Sequence, residues 1–534
     1  MGQTRSRLGR QIRTAASEAG MTLRALSDKL GVSRPTIYAY VSGALQVPQS
    51  RLAQISAVTG KEIAFFESVA VAEPPYDAND RIRLIDALLS PPDPRAASQM
   101  ATAVAERVEE LESPTDLAKL LFRAGNALLQ HGEYMDASQH LDQARRMFLN
   151  AGNMQAGATC AQSLGYCWTN LGRLSRARAC FEFSREHSEP AKRWAGEVSL
   201  AALAEREGEF SAAESMLAEL QDREGLPPEA YAYVASNQAN LLCTRGHWTG
   251  ALGSIEVALA LAYREQLPDQ VAELIIQKGT ALTLVGDFEG ASLALVRAGD
   301  VCFSLHDEAR TTLQQLAWGR LLAFLGRLGE ARKTIVLAMS SATRGRYRRS
   351  EALALRLLAE ISWARGDVDQ AHDYAVQAIS HCETHQYPAE EALAKVTLAL
   401  AQGAEGQTER AREALEQVDS TVQAFGLGET KARTLRARAN IAWQMNCRDA
   451  ASDAWSEAAD SAMEMGLVPL AAQTLWEAGQ SLAAAGDEAR SQEFADKARA
   501  LASRLLGQRI LLGPGAQFGQ ELVTAAEWLG QACV

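Results

Sequence analysis

Residues 22–42 gather the side chains best suited to a polyanion: Thr22, Arg24, Ser33, Arg34, Thr36, Tyr38 and Ser42, with Ala39 among them. A guanidinium forms two parallel hydrogen bonds with the edge of a guanine, and hydroxyls or helix-terminal N–H groups take phosphate oxygens. Thr36 and Ala39 add methyl groups that fit a thymine methyl. A second set lies further along the chain: Arg123, Asn126, Asn237, Asn240, Gln277 and Arg320. An amide side chain both donates and accepts, which is what an extended peptide backbone requires whatever its sequence. Arg123, Arg320 and Arg356 have the chemistry to read a terminal carboxylate or an acidic side chain. No motif for nucleophilic, metallohydrolase or nucleotide chemistry occurs: there is no G-x-x-x-x-G-K-[ST], H-E-x-x-H or G-x-S-x-G. We therefore expect no enzyme, no cofactor and no metal centre. The pair His381 and His385 has no acidic ligand at the right spacing beside it.

The elements that must position the first set are short helices. In MTLRALSDKLGVSRPTIYAYVSG, Thr22 is placed to cap a helix that runs to Leu30, Gly31 to end it, and Ser33 to cap a second helix to about Ser42. Leu26, Leu30, Val32 and Ile37 form the inner face that would fix the angle between the two helices, the pattern of a helix-turn-helix. Charge points the same way. Residues 1–72 carry nine Lys and Arg against four acids, a net of +5, whereas the remainder carries 44 bases and 61 acids, a net of −17. The footprint for a polyanion is thus confined to the amino-terminal region, and double-stranded DNA is the expected partner. The region resembles the Cro-type (xenobiotic response element, XRE) helix-turn-helix family, whose later helices are matched by VPQSRLAQISAVTG and KEIAFF. Leu23 stands where that family often has a phosphate-contacting Gln, and Val41 where it often has Glu.

The second set sits on a repeat. A residue able to take positive φ falls at Gly132, Gly172, Gly208, Gly246, Gly286, Gly326, Gly366, Gly406, Asn446 and Gly486, and from Gly246 onward every step is 40 residues. Seven residues before each turn the side chain is always Gly or Ala, and five after it is Ala in all repeats but the last, which has Ser491. Small side chains at fixed helical offsets around a turn let two antiparallel helices approach closely. Bulky residues such as Tyr134, Phe210, Trp248 and Phe288, two after the turn, fill the space left. A period of this length predicts an all-α solenoid of about ten helical hairpins over residues 115–506. It resembles a lengthened tetratricopeptide repeat (TPR).

A helix-turn-helix head on a TPR body resembles the peptide-pheromone-responsive (quorum-sensing) regulators of bacteria, the Rgg and PlcR types among them. That resemblance implies a homodimeric transcription regulator whose solenoid binds a short peptide and so alters DNA binding. Two other readings stay open: a transcription factor whose body docks a protein partner with no small ligand, and a TPR scaffold that does not bind DNA.

The remaining expectations concern organisation. Residues 1–72 form the head, 73–114 a linker with connecting helices at about 81–90 and 95–112, and 507–534 a capping or dimerisation segment in which Leu522, Ala526, Trp528 and Leu529 are the apolar candidates. The basic run TRGRYRRS at 343–350 falls between two repeats and reads as a solvated loop, with a polyanion or a partner subunit as its alternatives. With no apolar stretch near 18 residues and no signal-peptide core, a soluble cytoplasmic protein away from membranes is expected. The eight cysteines are scattered without a C-x-x-C pair, and Cys160, Cys180 and Cys302 are expected to be reduced packing residues.

Overall fold

A computed structural model describes residues 7–42, 47–61, 63, 66, 114–130, 132–305, 307–505, 509–511 and 520–522. The expected linker helices at 81–90 and 95–112, and Ala526, Trp528 and Leu529, lie outside these described residues. The chain divides into two compact units, Met1–Leu164 and Gly165–Val534.

In the first unit the head begins with four helices, α1 (Arg7–Glu18), α2 (Leu23–Leu30), α3 (Arg34–Ser42) and α4 (Gln49–Thr59). They close over Ile12, Leu26, Ile37, Ile55 and Phe66, all fully buried. The caps fall where the residue types put them. Thr22 Oγ1 accepts from the Ala25 N–H at 3.2 Å, Gly31 ends α2 at φ 62°, and the Ser33 hydroxyl accepts from the Thr36 N–H at 3.3 Å. Arg51 of α4 donates to the Leu30 carbonyl at 2.9 Å, occupying one of the acceptors left open at the end of α2. This unit also holds the hairpin Pro114–Gln130 and Tyr134–Asn150, packed through Leu117, Leu121, Ala144 and Phe148.

The second unit is a stack of helical hairpins; all ten expected turn residues, Gly132 in the first unit and the other nine in the second, have positive φ, from 59° at Asn446 to 94° at Gly286. Close approach explains the small residues ahead of each turn. A Cβ on Gly279 would lie 2.5 Å from Leu295, and one on Gly319 2.5 Å from Ile335. Replacing Gly319 with Val is therefore expected to cost about 1–3 kcal/mol through overpacking. Ala there should cost less, because better helix propensity returns about 1 kcal/mol; thermal denaturation of the two variants gives the comparison. Cys160, Cys180 and Cys302 are buried.

The repeats wind far enough for the superhelix to meet itself. Gly428 donates its backbone N–H to the Arg245 carbonyl at 2.9 Å, and Phe210 packs edge-on against Phe425 with ring centroids 5.7 Å apart. Trp248 and Glu429, 181 residues apart in sequence, are hydrogen-bonded at 3.1 Å. A Cβ on Gly286 would strike Leu505 and Pro469, so the turn glycines of the early repeats serve a second purpose where the next winding passes over them. One apolar core accordingly runs from Ala239 and Trp248 to Trp455, Leu475 and Phe494.

The all-α expectation holds with one local departure. Arg509–Leu511 and Gln520–Leu522 pair as a short antiparallel ribbon, with Arg509 opposite Leu522. Leu522 thus sits on a strand within the segment expected to cap or dimerise.

Candidate functional site

On the head, α3 keeps one face open to solvent. Arg34 is exposed, Tyr38 is half exposed at 52%, and Ser33 and Thr36 are partly exposed with their hydroxyls hydrogen-bonded to each other at 2.7 Å. Thr22 and Arg24, at the start of α2, are exposed as well. Ala39 is not available as expected. It is buried, off the open face that carries Arg34 and Tyr38, which are four residues apart and so share one side of the helix. Ser42 closes α3, and its side chain lies outside the described residues. Arg13, Arg24, Lys29 and Arg34 are exposed cations, whereas Arg51 is spent on Leu30 and Gln54, and Lys61 pairs with Glu18 at 2.5 Å.

In the second unit a cavity of about 220 Å³ lies inside the wound repeats. Its walls come from the first helices of seven successive hairpins, from Arg193–Arg206 to Gly428–Gln444. Every one of these helices contributes a charged or amide side chain. A helix that lines the inside of a tight winding turns one polar stripe to a shared space, so residues far apart in sequence become neighbours.

The structure brings together three of the groove residues expected from sequence. Asn240, Gln277 and Arg320 all line the cavity, and Gln277 Nε2 donates to Asn240 Oδ1 at 2.7 Å. Asn237 is turned to its own helix, donating to the Tyr233 carbonyl at 2.8 Å. Arg123, exposed, and Asn126, partly buried, belong to the first unit. The role foreseen for Arg320 and Arg356 requires correction. Both are buried and already neutralised: Arg320 donates to Glu429 at 2.7 Å, and Arg356 donates to Glu390 at 2.5 Å and to Glu360. Asn440, another amide ahead of a turn, accepts from Trp455 and donates to Glu477.

These pairs form one buried network. Glu429 also accepts from Trp248 Nε1 and from Arg433 Nε at 3.0 Å, and Arg433 reaches Glu360 at 3.7 Å. Burial alone would raise the Glu360 carboxyl, but Arg356, Arg433 and Arg320 outweigh it and hold it down at about 2, below its ordinary 4.5. Glu429 is lowered in the same sense by Arg320 and Arg433 against the pull of burial. A carboxylate depressed in the folded state stabilises the fold fully above its unfolded value and ceases to do so as pH falls through its folded value. Stability should accordingly decline between pH 4.5 and about 2, and Glu360→Gln should flatten that decline in a pH series of urea denaturations.

Three cavity residues lie outside the sets expected from sequence. Arg206 follows Glu205 near the end of its helix, Tyr387 precedes Pro388 in a turn, and Arg349 belongs to the basic run. That run is not a solvated loop. Its connection is only Arg346 and Tyr347, with Arg346 at φ 57° and Tyr347 buried, and the next helix starts at once and carries Arg349 to the cavity. A signal was present in the offset from the preceding turn. Glu273 and Arg349 belong to first helices like Asn240 and Gln277, but lie nearer their starts.

Among family models, that for the helix-turn-helix matches residues 10–66. Residues 10–66 are a Cro-type helix-turn-helix domain. No curated protein matches the chain. Among solved structures, a Rap protein complexed with competence and sporulation factor is similar at 13% identity and TM-score 0.54, over 65% of this chain and 98% of that one. The Rap conjugation gene regulator of plasmid pLS20 with the Phr* peptide is similar at 15% identity and TM-score 0.46, over 65% and 95%. Bacillus thuringiensis PlcR in complex with the peptide PapR7 and DNA is similar at 16% identity and TM-score 0.25, over 56% and 96%. The likeness to the first of these is one of fold. Among the described residues no helix is long and apolar enough to cross a membrane.

Proposed function

We propose that the protein is a sequence-specific DNA-binding transcription regulator, homodimeric and cytoplasmic, whose solenoid senses a peptide and thereby alters DNA binding. The observation that carries the first part is the helix-turn-helix domain with Arg34 exposed on its second helix. Arg34 reads a guanine; Ser33, Thr36 and Tyr38 approach neighbouring base edges; Thr22 and Arg24 hold phosphates. Dimerisation follows from size, because one small domain binds weakly and regulators of this kind read paired half-sites.

The cavity supports the second part. It offers Asn240 and Gln277 beside charged groups, with the donor and acceptor pairing that a peptide backbone uses. The Rap protein that shares the fold was solved with competence and sporulation factor, which agrees with a body that takes a signal rather than a substrate. Asn126, Asn237 and Arg123 remain proposed peptide contacts. Fluorescence anisotropy on DNA selected by the protein tests the coupling. Adding a low-molecular-mass peptide fraction from the culture medium of the source cells should change the DNA affinity at least several-fold, as expected of allosteric coupling. Identical affinity with and without the fraction, and no peptide co-purifying with the protein, would leave a body that docks a protein partner as the better reading.

A further inference from the structure

We propose that the cavity contains a carboxylate subsite, made by Arg206, Arg349 and Tyr387, that receives the free acid end of the ligand. This deepens the peptide-sensing reading above and rests on it. The starting observation is where the unsatisfied groups are. Arg206 Nη1, Arg245 Nε, Gln277 Oε1, Arg320 Nε and Tyr387 Oη are all buried without a hydrogen-bond partner among the described residues, and all five residues line this one cavity. Each such group is costly to leave unmade, so their concentration in one place marks a space whose polar partner is supplied from outside the chain.

The arginines divide by what they already hold. Arg320 and Arg356 are neutralised by Glu429, Glu360 and Glu390; Arg310 pairs with Asp307, and Arg245 with Glu214 at 3.3 Å. Arg206 and Arg349 have no hydrogen bond or ion pair to any described residue, although each acts electrostatically on Tyr387 and Arg349 acts on Arg206. Two carboxyls face this pair. Glu205 is buried, accepts from Thr244 Oγ1 at 2.6 Å, and is raised by burial toward its neutral form; Glu273 is the other. Arg206 and Arg349 thus face the cavity without a bonded carboxylate among the described residues. A carboxylate takes two such donors side by side. Tyr387 is 6% exposed, and burial raises its hydroxyl, so it stays an O–H donor to that anion.

Gln277 completes the pattern. Its Nε2 is given to Asn240, which leaves its oxygen open to accept an N–H. A carboxylate with an amide N–H close behind it is the last residue of a peptide. The volume agrees: about 220 Å³ is below the roughly 300–1,000 Å³ of a pocket that encloses a drug-sized ligand, so the cavity takes the end of a chain rather than its whole length.

Thermal melting of the full-length protein tests this with four probes: a pool of random tripeptides as free acids, the same pool as carboxy-terminal amides, N-acetyl amino acids, and inorganic phosphate. The free-acid pool should raise Tm by about 2–4 °C, the amide pool by less than half of that, and phosphate not at all. Arg206→Gln and Tyr387→Phe should each abolish the difference between acids and amides. Arg349→Gln, at an exposed position, gives the same readout if either of those fails to fold. Acids and amides acting equally, or an acid-specific shift surviving in Arg206→Gln, would overturn the subsite while leaving peptide sensing in place. A shift with N-acetyl amino acids but with neither peptide pool would uphold the subsite and remove the peptide. No response to any probe, or a response to phosphate alone, would overturn the subsite.

Discussion

Glu429→Ala should lower the stability of the protein by about 3–5 kcal/mol, the cost of removing one partner from a buried ion pair. Glu429 is 5% exposed and its carboxylate is shared among Trp248, Arg320 and Arg433. Truncation leaves the Arg320 guanidinium, 7% exposed, without its counter-charge, and leaves an indole N–H unsatisfied. Because Trp248 and Glu429 lie on successive windings, the loss falls on the seam that closes the superhelix, and small-angle scattering should show the body loosening. The paired replacement Arg320→Leu with Glu429→Leu should cost much less than Glu429→Ala alone, because it removes both charges together. Urea denaturation followed by helix content ranks the variants. Equal losses from the single and the paired replacement would show that the charges are not coupled across the seam.

The second large effect is on recognition. Arg34→Ala should weaken binding to a preferred DNA site by about 1–3 kcal/mol, roughly 5- to 150-fold, with little change on unrelated DNA. Arg34 is exposed and lies in the first turn of α3, whose packing is carried by Ile37, Tyr40 and Val41. The fold should therefore be unaffected. Arg24→Ala, by contrast, should weaken binding to all sequences alike and reduce the dependence on salt, as loss of a phosphate contact does. Titrations at two salt concentrations separate the two behaviours.

The head and the first turn of every repeat were legible because they depend on local chemistry. A cap needs a hydroxyl, a left-handed turn needs Gly or Asn, and a close helix crossing needs Gly or Ala, so Thr22, Gly31 and the beat from Gly132 to Gly486 announce themselves. The second turn was legible at Gly152, Gly426 and Gly466 but hidden in the middle repeats. Gln266, Arg346 and Gln386 hold positive φ there without being Gly or Asn, since the packing on either side imposes it. The cavity was half legible for a related reason. Helical offset identified Asn240 and Gln277 as inward, but whether an inward Arg is free or neutralised depends on which repeat the superhelix brings opposite. Arg320 meets Glu429, 109 residues away, and Arg206 has no carboxylate within bonding distance among the described residues. That depends on the pitch of the winding, and no local pattern encodes it.

Reading of a DNA sequence by the amino-terminal domain through α3 is put to the test by selection of bound sequences from a random double-stranded pool. With the full-length protein at physiological salt, a short motif in paired copies should be enriched, and it should be lost when Arg34 is replaced by Ala. Failure to enrich any sequence, or recovery of the same motif by Arg34→Ala, would contradict it.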